Sequence, residues 1–63
     1  MGLSHRELQI LESLAKGKTF KSIANELGVA CGTVKNESMN LYRKLDAFNN
    51  AHAVAIGKDM GLI

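Results

Sequence analysis

Residues Ser22 to Leu45 read SIANELGVACGTVKNESMNLYRKL, and the fold turns on this stretch. A helical pattern runs to Gly28, passes through a short turn of small residues and resumes by Thr33. Ala24 is small where two helices have to cross closely. Gly28 stands where the chain must bend sharply, and Val29 is an apolar plug for that bend. Val34, Ser38, Leu41 and Leu45 recur on one face of the second helix and are expected to point inward. Two short helices joined by a tight turn containing glycine form a helix-turn-helix, whose second helix characteristically enters the major groove of DNA.

The opposite face of that second helix carries matching chemistry. Arg43, Asn36 and Met39 lie outermost on a helical wheel, with Lys35 and Asn40 beside them. Lysine donates to guanine, asparagine pairs with adenine, and an apolar side chain touches a thymine methyl. Glu37 falls on the flank of the same helix and is expected near Lys44.

Working outward, Ser4-His5-Arg6-Glu7 is a capping box that starts a first helix. Leu8, Ile10, Leu11, Leu14 and Ala15 give that helix a wide apolar arc, and Gly17 stops it. Glu7 projects inside the arc, where capping and the helix dipole explain it. Thr19 caps a second helix with Phe20, Ile23, Ala24 and Leu27 on one face. After the third helix, Asn49 or Asn50 caps a fourth. The expected helices lie at about 4–16, 19–27, 31–45 and 50–60, in one domain over residues 1–63. The fourth has two apolar sides. Ala53, Ile56, Gly57 and Met60 are expected to face the core, leaving Ala51, Val54 and Ala55 for a partner.

Composition narrows the function. The chain has 63 residues, no proline and three Phe plus Tyr, which favours an all-α fold. A domain this small buries only about 60% of its unfolded surface and has no spare core for an enclosed active site or small-molecule site. No apolar run approaches the ~20 residues that span a bilayer, and no signal peptide is apparent, so the cytoplasm is the expected location. Cys31 has no partner for an internal disulfide, and His5 and His52 lack ligands at metal-binding spacing. No phosphate loop or catalytic set is present, so neither an enzyme nor a cofactor is expected. Charge is uneven within a net +2. Lys16, Lys18, Lys21, Lys35, Arg43 and Lys44 stand against Glu26 and Glu37 in the centre, while acids outnumber bases elsewhere. A polyanion should dock on the centre.

Over nearly its whole length the sequence resembles the C-terminal domain of LuxR-type transcription factors, also found in NarL/FixJ response regulators and in the spore regulator GerE. The matching pieces are Leu3 to Leu11, Ala15-Lys16-Gly17, Ile23-Ala24, Thr33-Val34-Lys35, Asn40, Arg43-Lys44-Leu45, Ala53-Val54 and Gly61-Leu62-Ile63. The resemblance implies a four-helix domain that binds double-stranded DNA and forms a homodimer through its fourth helix. Its base-reading positions fall on Lys35, Asn36 and Met39. Backbone contacts fall near Lys21, Thr33, Asn40, Arg43 and Lys44. The sequence departs from the family pattern at Phe20, Ala30, Gly32, Glu37 and Asn50, which makes the DNA surface less cationic than usual. An interaction module that pairs with another regulator and blocks it is the alternative expectation.

Overall fold

The computed structural model describes residues 2–63. Four helices follow one another: α1 (His5–Ala15), α2 (Phe20–Leu27), α3 (Cys31–Leu45) and α4 (Asn50–Asp59), with no strand among the described residues.

Each boundary has a local cause. At α1, the Glu7 amide donates to Ser4 Oγ at 3.1 Å and the Ser4 amide donates to Glu7 Oε1 at 2.8 Å, a closed capping box. The Ser22 amide donates to Thr19 Oγ1 at 3.1 Å and opens α2. Gly28 ends α2 with φ +70°, a left-handed conformation that glycine adopts without a Cβ clash. The Val29 amide can then donate to the Ala24 carbonyl at 3.0 Å, so the chain reverses within three residues before Cys31. Ala30 starts α3 with no side-chain cap. Asp46 ends α3 in the left-handed region at φ +57°. Asn49 caps α4 by accepting from the His52 amide at 2.9 Å.

Helix α3 packs against all three other helices, and α1 and α4 also pack on each other. The core is built from Ile10, Leu11 and Leu14 of α1, Ile23 and Ala24 of α2, Val34, Leu41 and Leu45 of α3, and Ala53 of α4. Leu8 and Ala15, at the margins of the expected α1 arc, are half-buried. Gly57 lets α1 and α4 approach closely. A Cβ there would lie 2.9 Å from Leu11 Cδ2, a fully buried side chain.

Helix α4 departs from expectation on both sides. Met60 is not inward but 47% exposed. The helix ends just before it and the chain turns at Gly61, with the Leu62 amide donating to the Gly57 carbonyl at 2.8 Å. Leu62 and Ile63 fold back onto the core in its place. Val54 is not fully outward. Because α4 spans both α1 and α3, Val54 is half-buried against the core, leaving Ala51 and Ala55 as the exposed part of the strip.

Ser38 is 1% exposed, and its Oγ has no hydrogen-bond partner among the described residues. An unpaired buried hydroxyl is destabilising. Ser38→Ala is therefore expected to raise the unfolding free energy by about 1 kcal/mol, with a small helix-propensity gain included. Urea denaturation followed by circular dichroism checks this; a fall in stability would mean that the hydroxyl has a partner in solution.

Candidate nucleic-acid interface

The turn from Gly28 to Ala30 projects α3 across the molecule with its inner face locked by Val34, Ser38, Leu41 and Leu45, all buried. The remaining faces of α3 are thereby determined. Lys35, Asn36, Met39, Asn40 and Arg43 are exposed, as are Thr33 at its start and Lys21 on α2. Met39 is 50% exposed, a large apolar side chain left on a polar face. Among the described residues, Lys21, Lys35, Asn36, Asn40 and Arg43 make no side-chain hydrogen bond or ion pair with the rest of the protein. Among the described residues this surface thus presents three unpaired cations and two unpaired amides.

The flank of α3 that faces α1 is organised differently. Thr33, Glu37, Asn40 and Lys44 follow at intervals of four, three and four residues and form one ridge along the helix. Lys44 Nζ donates to Glu7 Oε1 at 2.7 Å and to the Gly2 carbonyl at 3.3 Å. Glu37 lies on the same flank as Lys44, without bonding to it. Two turns of helix, about 10 Å, separate them. The first turn of α1 lies alongside and supplies partners for both: Glu37 Oε2 accepts from Arg6 Nη1 at 3.4 Å, while Lys44 turns to Glu7.

Neither cross-helix pair is apparent from helical spacing alone, because the partners are 31 and 37 residues apart. One signal does point to the second pair. Glu7 sits inside an apolar arc, and a buried carboxylate requires a cation. Sequence reasoning also missed Phe48, which is 89% exposed and stacks on His52 with ring centroids 4.9 Å apart. Among the described residues there is no cavity, no group of three metal-ligating side chains, and no helix long and apolar enough to cross a membrane.

Residues 1–56 match the family described as GerE, bacterial regulatory proteins, luxR family. The chain belongs to the luxR family of bacterial regulatory proteins. Its structure carries the four helices and helix-turn-helix expected of a LuxR-type domain. It is 42% identical over 60 residues to the transcriptional activator protein ExpR of Dickeya dadantii (strain 3937), covering 95% of this chain and 24% of that protein. It is 39% identical over 59 residues to the transcriptional regulatory protein DesR of Bacillus subtilis (strain 168), covering 94% of this chain and 30% of that one. The crystal structure of the response regulator ChrA, from a heme-sensing two-component system, superposes with a TM-score of 0.95 at 32% identity, over 100% of this chain and 31% of that one. The chain spans 24–31% of the length of these three proteins.

Glu7 ties the interface to the fold. Lys44 donating to its ionised form holds the carboxyl below the ordinary value of 4.5, the Ser4 amide adds to this, and burial opposes it. A lowered folded-state value contributes stability that is fully present above pH 4.5 and lost as pH falls through the lowered value. Glu7→Gln keeps an acceptor for the Ser4 amide but removes the charge facing Lys44. It is expected to cost about 1.5 kcal/mol near neutral pH, the low end for a charged hydrogen bond because solvent reaches Lys44. It should also flatten the acid limb of the stability profile. Urea denaturation from about pH 7 to about pH 3 checks both; an unchanged acid limb would show that other carboxylates dominate it.

Proposed function

We propose that residues 1–63 form one DNA-binding domain of a bacterial transcriptional regulator, which inserts α3 into the major groove of double-stranded DNA. The observation that carries this reading is the exposed, unpaired polar face of α3 directly after the helix-turn-helix bend. Membership of the luxR family supports it, as does the similarity to the transcriptional regulators ExpR and DesR. The same reading implies a cytoplasmic protein without catalytic activity.

In this reading Lys35, Asn36 and Met39 face base edges. Lys35 donates to guanine, Asn36 pairs with adenine, and Met39 contacts a thymine methyl. Lys21, Thr33, Asn40, Arg43 and Lys44 hold phosphates and set the register. Lys44 does so with the ammonium proton left over from Glu7 and the Gly2 carbonyl, so its contribution is to position as much as to attract. Ala30 leaves the first amides of α3 without a side-chain cap, which suits a helix start lying against an anion.

The domain acts as a homodimer on a two-fold site, through α4. Ala51 and Ala55 are exposed and small, and Val54 at their edge is half-buried. A self-complementary strip on each copy satisfies a two-fold axis. The domain is 28 Å in its longest dimension, so two copies touching over a small patch can set their α3 helices about 34 Å apart, one turn of DNA.

Two measurements test this. Lys35→Ala should weaken cognate binding by about 1–3 kcal/mol and relax preference at one base pair, leaving affinity for random duplex nearly unchanged. Equal losses on both duplexes would remove Lys35 from base reading. For the dimer, Ala55→Glu places a charge on the exposed strip with a good helix former, so the fold should survive. It should abolish cooperative binding to a two-half-site duplex and spare half-site binding. Cooperativity equal to that of the parent would put the contact elsewhere.

A further inference from the structure

We infer that Arg6 is a phosphate-binding residue of the DNA interface, held at rest by Glu37 as an internal counter-ion. The inference rests on the DNA reading above and extends the interface from the helix-turn-helix onto α1. Thr33, Glu37, Asn40 and Lys44 form one ridge on α3. Three of them suit a phosphate backbone, and the acid Glu37 interrupts the row. The guanidinium of Arg6 stands 3.4 Å from that acid, at the gap.

The two ion pairs between α1 and α3 differ in kind. Glu7 and Lys44 meet at 2.7 Å with the Glu7 side chain 7% exposed, and the same carboxylate is bound by the Ser4 amide. That pair is built into the fold. Arg6 and Glu37 meet at 3.4 Å with side chains 38% and 31% exposed. A partly exposed pair of this length holds little free energy and is screened by salt. The guanidinium has five donors in a planar fork, and one of them is engaged among the described residues. A phosphate accepts from that fork in a bidentate manner, which a single long contact to Glu37 does not match. Arrival of a phosphate along the ridge therefore exchanges Glu37 for DNA on Arg6. Glu37 in turn restrains binding to any duplex by competing for the same guanidinium.

The test is a double-mutant cycle on a random-sequence duplex, titrated by fluorescence anisotropy at several salt concentrations, with circular dichroism melts of every variant. Arg6→Gln should weaken binding about 3–10-fold and lower the slope of log affinity against log salt by about one. Arg6→Lys, which keeps the charge, should retain most of the affinity and covers the case in which Arg6→Gln unfolds. Glu37→Gln should tighten binding several-fold when Arg6 is present and change it less than about twofold in Arg6→Gln. Equal tightening with and without Arg6 means that Glu37 repels DNA directly, and it overturns the proposal. So does weaker binding in Glu37→Gln, which makes Glu37 a direct DNA contact rather than a competitor for Arg6. Parent binding that falls steeply with salt but ignores Arg6 overturns this inference alone. Parent binding insensitive to salt overturns the DNA reading and this inference with it.

Discussion

The carboxylate of Glu7 is the point on which the rest of the molecule depends. It accepts from the Ser4 amide at 2.8 Å and from Lys44 at 2.7 Å, and the residue is 6% exposed. One buried charge thus fixes the start of α1 and the last turn of α3 together. The hydrophobic contacts between these helices are non-directional and tolerate rotation about a helix axis. A short hydrogen bond to a charged group does not. With Lys44 held toward α1, the azimuth of α3 is set along its length. Lys35, Asn36 and Met39 then have to face away from the core, as their exposure shows.

The small size of the chain makes this constraint matter. Its fully buried large side chains are Ile10, Leu11, Ile23, Leu41 and Val34, with Ser38 among them. A core this small has few interlocking contacts to select one packing over a rotated neighbour. Placement of an ionised group against its partner adds selection that apolar area alone does not supply. Ser38 works the other way, as a polar atom among apolar ones with nothing to bond among the described residues. Its small volume fits between α3 and its neighbours, and the hydroxyl is a cost carried with that volume.

How far the sequence reveals all this depends on the range of the interaction. The all-α class and the four helices follow from local signals. Ser4, Thr19 and Asn49 each cap the helix they precede, and Gly17 and Gly28 take left-handed conformations that end one. The exposed face of α3 follows from 3.6-residue periodicity, which assigns Val34 and Leu41 inward and so Asn36 and Met39 outward. Contacts made at long sequence separation are another matter. Periodicity puts Glu37 and Lys44 on one ridge but does not say what they meet there; the structure gives each a partner from α1. Met60 reads as inward until Gly61 is seen to turn the chain and bring Ile63 beside Gly57. Phe48 carries no signal of its 89% exposure, because a lone aromatic in a turn reads as buried.

The charge pattern of α3 takes its meaning from these pairings. By sequence alone the central segment has an excess of positive charge, with Glu26 and Glu37 among the bases. In the structure Glu26 is taken by Lys18 at 2.7 Å and Glu37 by Arg6. Lys44 is likewise committed to Glu7. Among the described residues, Lys16, Lys21, Lys35 and Arg43 are left unpaired on the surface. Counting formal charges therefore overstates the number of free cations near α3 and understates how well its acids are neutralised. The field met by an approaching anion comes from a few fixed positions on α2 and α3, not from the net +2 of the chain. Such a surface orients an anion more than it accumulates one, because Arg6, Lys18 and Lys44 are each already held in place by a carboxylate of the same domain.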